Sequence, residues 1–366
     1  MRINFKGTLV DEPEIRAGFI GCGSHSFRNL YPTLQFAPVN LVATCDLELD
    51  KAQAFAAKFG AQRAYVDYRE MLAREELDAV FIVTGYDAHG RPRYPAIAVD
   101  CLQSGCHVWM EKPPAASCAE IRGMQEVAAQ TGKNVVVGLK KMFFPANEKA
   151  KQLMDAADFG RVSLVRLEYP QYIPTVDELR RYVQDQEVVR SAVGFLDHLC
   201  HPCALLVYLL GLPATLYYER SFNGAGSAIF SFASGALATL AMTHGSAGAD
   251  GMERTMIVSD SRRHIVVENN LRVTYHRLPN PGYGDVPDFY TADLGQATAV
   301  WQPEFSLGQL YNKGLFLLGY YNEVNEFARS ILEGRPPRKG TLEHAWQVTR
   351  IFEAFAAGPG TVIPLT

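Results

Sequence analysis

"AGFIGCGSHSFRNLYP", residues 17–32, ends the first strongly apolar run of the chain with Gly18, Gly21 and Gly23 and then resumes an amphipathic pattern. An apolar run that stops at glycines and restarts with helical periodicity predicts a strand, a tight turn and a helix. A turn without side chains lets a large group approach the backbone, and the helix N-terminus that follows favours an anion there. The stretch therefore predicts a pyrophosphate, and with it a dinucleotide, held on the turn.

Gly21-Cys22-Gly23-Ser24-His25-Ser26 reads G-x-G-x-x-S. In the full fingerprint the first glycine permits the turn, the second admits the pyrophosphate and the third lets helix and strand pack closely. Ser26 is small enough for the third place. The next apolar run ends at Cys45-Asp46, the distance at which an acidic residue accepts hydrogen bonds from ribose hydroxyls. A carboxylate at Asp46 repels a 2'-phosphate, and Leu47 follows it rather than an arginine, so NAD is expected in preference to NADP. The same aspartate also fits a cap or turn residue ahead of the next helix.

Around this turn, apolar runs at 15–20, 40–45, 79–83, 107–110 and 134–137 alternate with helical patterns at 26–36, 49–59, 94–103 and 117–130. Such alternation predicts an α/β, doubly wound parallel sheet covered on both faces, a Rossmann domain over residues 1–141. Beyond Lys140 and Lys141 a helical pattern at 146–157 precedes strand-like runs at 162–169, 215–220, 227–233, 236–243, 254–259 and 264–267. The later runs follow one another without helices, which predicts an α+β second domain with a large, mostly antiparallel sheet over 142–366. The glycine- and proline-rich stretch 279–287 reads as a long loop, and helical patterns at 320–333 and 341–357 close the chain at Gly334 and Gly358.

The 366 residues are 48% hydrophobic and 20% charged, enough core material for two globular domains. A net charge of -4 gives no basic field for nucleic acid or an acidic membrane, so small molecules are the expected partners. No run supplies the roughly 18 uncharged apolar residues of a membrane span, and the opening residues lack a signal-peptide core. A cytoplasmic protein is expected. Seven cysteines, an odd number in apolar surroundings, predict buried reduced thiols. Cys200-His201-Pro202-Cys203 has C-x-x-C spacing, but no thioredoxin-like strand precedes it and no second pair completes a zinc site. Two core residues on a helix, and no metal, are the simpler expectation.

Two further groups carry chemistry. In Glu111-Lys112-Pro113 the proline biases Lys112 towards an extended backbone at the carboxyl end of a strand, the end that faces the ligand crevice of an open parallel sheet. An ammonium there hydrogen-bonds a substrate hydroxyl and stabilises developing alkoxide charge during hydride transfer; the triplet also fits a surface lysine paired with Glu111. Asp197 and His201, four apart, share one face of a helix, while Leu196, Leu199, Cys203, Leu206 and Leu210 form a separate apolar stripe. Asp197 is thereby expected to orient His201 for taking a proton, or the two form a structural ion pair. Pro202 predicts a helix start or kink nearby, and His198 is expected to point elsewhere.

Taken in order, the glycine turn, Asp78 to Thr84 followed by His89, Gly105 through Glu111-Lys112-Pro113, Asp197-x-x-x-His201 and the terminal Tyr320-Tyr321-Asn322-Glu323-Val324-Asn325-Glu326-Phe327 resemble the GFO/IDH/MocA family of oxidoreductases over almost the whole chain. The resemblance implies cofactor contacts from Gly21, Gly23, Ser24, His25, Ser26, Asp46, Thr84, His89, Glu111 and Lys112. It implies Lys112 and His201 as catalytic groups, with Asp197 holding the substrate, and a homodimer or homotetramer built through the second domain. The implied activity is NAD-dependent oxidation of a secondary alcohol of a sugar, cyclitol or related polyol, or reduction of the ketone. Alternatives are a lyase or glycosidase that retains NAD and acts through transient oxidation, and a non-catalytic nucleotide sensor. Two departures stand out: Thr84-Gly85-Tyr86 replaces the family's Thr-Pro-Asn, and Met142 replaces an arginine before Phe143-Phe144-Pro145, with Lys140 and Lys141 just ahead. Those lysines fit either a substrate contact or solvated charges at a strand end.

Overall fold

The computed structural model describes residues 13–247, 253–277, 298–303 and 313–365; the loop expected at 279–287 lies outside them. The first half builds β1 (Ile15–Ile20), β2 (Val39–Cys45), β3 (Arg63–Tyr65), β4 (Ala79–Ile82), β5 (His107–Met110) and β6 (Val135–Val137). They form one sheet of order β3-β2-β1-β4-β5-β6 in which every neighbouring pair is parallel. All four residues of β4 are buried, the mark of a strand covered on both faces. The order reverses between β1 and β4, which opens the crevice for a ligand at their carboxyl ends.

The covering helices are α1 (Tyr31–Leu34), α2 (Leu49–Phe59), α3 (Tyr68–Arg74), α4 (Tyr94–Gln103) and α5 (Cys118–Thr131). The helix expected at 26–36 differs in detail: it opens as a π turn over Ser26–Leu30 before α1. Pro32 has no N–H for the Arg28 carbonyl, and the ladder widens ahead of it.

The chain continues through α6 (Pro145–Met154), β7 (Val162–Tyr169), α7 (Val176–Val183) and α8 (Arg190–Leu210) into β8 (Thr215–Arg220), β9 (Gly226–Ser231), β10 (Leu237–Met242), β11 (Arg254–Ser259), β12 (His264–Glu268), β13 (Arg272–His276) and β14 (Thr298–Trp301). After α9 (Lys313–Leu317), α10 (Tyr320–Leu332) and α11 (Leu342–Ala354), β15 (Ile363–Pro364) completes a nine-stranded sheet of order β14-β13-β12-β11-β7-β10-β9-β8-β15. Only β7 and β10 pair in parallel among these strands. Alternation along the strands divides the sheet cleanly. Phe230, Leu240, Val165, Leu167, Ile257 and Ile265 are buried on one face, whereas Tyr217, Ile229, Leu237, Met256 and Val300 are exposed or half-exposed on the other.

Helix α8 is long and apolar enough to cross a membrane, the one such helix among the described residues. Its apolar stripe instead faces the interior, packed against α7 and α11 with Leu196, Leu199, Cys203 and Leu206 buried. The helix runs through Pro202, so of the start or kink expected there the start is corrected. One lost hydrogen bond at the His198 carbonyl is a small penalty for a helix whose stability comes from burial. Cys200 and Cys203 are buried within it, and burial pushes the Cys200 thiol up to about 12, so both stay protonated. The last helices return to the first sheet. α10 lies against β1 and β5, with the Phe327 ring edge-on to Phe81 at 5.5 Å between centroids.

Candidate active site

The turn after β1 is closed by its own geometry. Gly21 has φ +108°, and a Cβ there would lie 1.9 Å from the Val83 carbonyl oxygen, so only glycine fits. Gly23 has an ordinary φ, and a Cβ there would meet nothing within 4 Å. The protein leaves room beside Gly23 that it does not itself fill. Ser26 is fully buried in the third place, with its hydroxyl unpartnered.

Asp46, just past β2, braces this turn: its Oδ2 accepts from the Cys22 N–H at 2.8 Å and its Oδ1 from the Glu48 N–H at 3.1 Å. The turn-residue reading of Asp46 thus describes part of its work. A carboxylate has about four acceptor sites, so a ribose hydroxyl can still be held here. Leu47 beside it is 80% exposed and brings no cation. Ser24 is exposed and accepts from Arg28 Nη2 at 2.7 Å.

A cavity of about 240 Å3 opens at the carboxyl ends of β4 and β5, lined by His25, Thr84, Tyr86, Tyr94, Glu111, Lys112 and Asp197 among others. His25 Nε2 donates to Glu111 Oε1 at 2.9 Å, since a carboxylate only accepts, and its Nδ1 then accepts from Asn29 at 3.3 Å. The second Glu111 oxygen accepts from the Lys112 N–H at 3.0 Å. Thr84 offers its carbonyl to the Tyr94 hydroxyl at 2.7 Å, while its own buried hydroxyl lacks a partner. The open space at Gly23 and the unpartnered Thr84 hydroxyl both fit a bound polar ligand such as a dinucleotide.

Lys112, followed by a cis peptide to Pro113, sends its ammonium across to α8. Nζ donates to Asp197 Oδ1 at 2.8 Å and to the Asp197 carbonyl at 3.2 Å. Burial alone would lower its pKa, but Asp197 and Glu111 outweigh that and hold it above the ordinary lysine value, so Lys112 is a cation. Tyr86, noted in the sequence only as a departure, donates to the same Asp197 oxygen at 3.0 Å.

The expected Asp197–His201 contact gives way to these bonds. Both residues lie on α8, but Asp197 is engaged with Lys112 and Tyr86, and its nearest histidine is His198 at 3.9 Å. His201 is partly buried one turn further on, beside the cavity rather than in its lining, its ring 6.2 Å from that of Tyr169. Burial, then Lys112, Lys140, Lys141 and His198, push its pKa well below the ordinary histidine value, so the imidazole is neutral at pH 7. His89 is exposed and does not line the cavity; only its N–H is engaged, by Asp87 at 2.8 Å. Lys141 is buried over the rings of Phe144 and Tyr169 and paired with Glu253, so it is not a solvated charge. Lys140 donates to the Tyr320 hydroxyl at 3.3 Å.

A doubly wound sheet with a glycine turn at its switch point defines a dinucleotide-binding α/β protein. Residues 15–139 match the model described as oxidoreductase family, NAD-binding Rossmann fold, and residues 147–265 match the GFO/IDH/MocA C-terminal domain. The chain belongs to the GFO/IDH/MocA family of oxidoreductases. It is 27% identical over 157 residues to trans-1,2-dihydrobenzene-1,2-diol dehydrogenase of Mus musculus, covering 42% of this chain and 46% of that enzyme. It is likewise 27% identical over 156 residues to inositol 2-dehydrogenase of Salmonella typhimurium, covering 41% and 44%. The chain thus spans about half the length of the curated relatives it matches. Its fold is similar to that of a dehydrogenase from Chromobacterium violaceum, with a TM-score of 0.76 and 20% identity over 95% of this chain and 96% of the other.

Proposed function

We propose that this protein is an NAD-dependent dehydrogenase that interconverts a secondary alcohol and ketone of a sugar, cyclitol or related polyol. The observation that carries this reading is the Lys112 ammonium, held at 2.8 Å by Asp197 in a cavity at the carboxyl ends of β4 and β5. NAD is favoured over NADP by the Asp46 carboxylate and the exposed Leu47 beside it. Gly21, Gly23, Ser24 and Ser26 would hold the pyrophosphate; Thr84, His25 and Glu111 lie where the nicotinamide half would rest. When bound, the dinucleotide supplies the hydride acceptor. Lys112 donates a hydrogen bond to the substrate oxygen and stabilises its growing negative charge. Neutral His201 takes the hydroxyl proton, and Asp197 holds Lys112 and a neighbouring substrate hydroxyl. The named substrates of the relatives, an inositol and a dihydrodiol, are vicinal diols of this kind. We place the division between the nucleotide-binding and substrate-binding parts near residue 141, and assembly as a homodimer or homotetramer on the outer face of the nine-stranded sheet.

The test is net reduction of added NAD across a panel of cyclitols and sugars, in the wild type and in Lys112→Ala. The variant is expected to lose about a hundredfold in turnover, the scale of a lost oxyanion donor, with a much smaller change in NAD affinity. Because His201 titrates below the ordinary histidine range, oxidation should persist below pH 6.5, and fall only as pH drops through that lowered value and the base becomes protonated. Wild-type turnover in Lys112→Ala, or loss of activity centred on an ordinary histidine titration, overturns the assignment of roles. Turnover of substrate without net NAD reduction would point to a lyase or glycosidase that retains its cofactor.

A further inference from the structure

Lys112 and Tyr86 converge on one oxygen of Asp197 from different parts of the chain. Lys112 Nζ donates to Oδ1 at 2.8 Å and the Tyr86 hydroxyl to the same Oδ1 at 3.0 Å. Oδ2 is left 3.9 Å from His198 Nε2, beyond hydrogen-bond distance. Burial first, and the Asp197 charge next, hold the Tyr86 phenol above its ordinary pKa, so it keeps its proton and donates. The loop that carries Tyr86 is tied down along its length. Tyr86 bridges to Pro92, Arg93 Nε donates to the Tyr86 carbonyl at 3.2 Å, and Arg91 Nη2 donates to the Tyr182 carbonyl on α7 at 2.6 Å. The Tyr182 hydroxyl returns a bond to the Gly90 carbonyl at 2.9 Å. A phenol on so constrained a loop, facing the cavity, fixes its partner rather than following it.

We infer that Tyr86 is a positioning residue: its hydroxyl locks the Asp197 carboxylate onto Lys112, away from His201, and leaves Oδ2 as the acceptor for a second substrate hydroxyl. This rests on the dehydrogenase reading above. With one carboxylate oxygen saturated by the protein's own donors, Lys112 and the free oxygen present a donor and an acceptor to neighbouring hydroxyls, which suits a vicinal diol better than an isolated alcohol.

Tyr86→Phe keeps the ring and removes the donor. It is expected to leave the dissociation constant for NAD and the melting temperature unchanged while lowering kcat/KM for a cyclic vicinal diol about tenfold, the low end for a hydrogen bond to a charged group. The loss for a mono-alcohol of similar size should be smaller. In an Asp197→Asn background the further loss from Tyr86→Phe should fall below threefold, because both changes act on one contact. Wild-type kinetics in Tyr86→Phe, or the full tenfold loss persisting in the Asp197→Asn background, overturns the inference. A crystal structure of Tyr86→Phe reads the same contact without substrate: an Asp197 carboxylate turned off Lys112 supports the inference, and an unchanged carboxylate overturns it. Undiminished turnover in Lys112→Ala would sink the dehydrogenase reading itself, whatever Tyr86→Phe does.

Discussion

At Gly21 an added methyl group would lie 1.9 Å from the Val83 carbonyl, whereas at Gly23 it would meet nothing within 4 Å. Two glycines two positions apart therefore serve different ends. Gly21→Ala combines a clash with a disfavoured backbone angle, and is expected to destabilise the fold by about 3 kcal/mol or more, seen as a lower melting temperature. Gly23→Ala should change stability by under about 1 kcal/mol, yet weaken NAD binding roughly tenfold by taking the place of an anion held by the backbone. Calorimetric titration with NAD decides the second case, and unaltered affinity would remove Gly23 from the cofactor site. The glycines and Asp46 are readable in the sequence because the turn is local. The engagement of Asp197 was not: its partners Lys112 and Tyr86 are 85 and 111 residues away, and i,i+4 spacing on α8 pointed to His201 instead.

Strands β5 and β6 are joined at their start by a side chain as well as by their ladder. His107 Nδ1 accepts the Asn134 N–H at 2.8 Å, which requires that nitrogen to be unprotonated. Burial first, and Lys133 next, lower the His107 pKa to about 4. The unfolded chain binds a proton near pH 6.5 and the folded one does not, so this contribution to stability is complete above about 6.5 and is lost as pH falls towards 4. His107→Ala should destabilise the protein at pH 7 by about 1 kcal/mol, the worth of a hydrogen bond to a partly buried N–H, and flatten the stability profile over that interval. Urea unfolding at several pH values measures both; an unchanged slope would mean another group titrates. Parallel strands such as β4 were visible in the sequence as plain apolar runs because both faces are buried. β3 and α3 were not, since three residues with an exposed, an intermediate and a buried member carry no period. β13 and β14 were missed as well: β13 alternates over only five residues, and the edge strand β14 has four residues with none buried to set a period.

Across the whole molecule, Lys112 and Tyr86, on the loops after β5 and β4, reach Asp197 on α8, so the cavity depends on how that helix is docked against the first sheet. The nine-stranded sheet offers Ile229, Leu237 and Val300 outward on β9, β10 and β14, each about 45% exposed. Apolar residues set on a broad, flat sheet face are a natural self-association surface. Light scattering is expected to give the mass of a dimer or tetramer, and Leu237→Asp to shift it towards the monomer. A wild-type mass of one chain would overturn assembly through this face.

The return of α10 to the first sheet has a temporal consequence. Phe327 covers Phe81 from 246 positions further along the chain, and the Val137 N–H donates to the Gly340 carbonyl at 2.6 Å. A ribosome releasing this polypeptide from its beginning exposes the glycine turn and its strands early, but one flank of their apolar surface stays bare until the final helices emerge. Nascent chains stalled before α10 should therefore be the ones that bind chaperones, and the nucleotide fold should mature only at the close of synthesis.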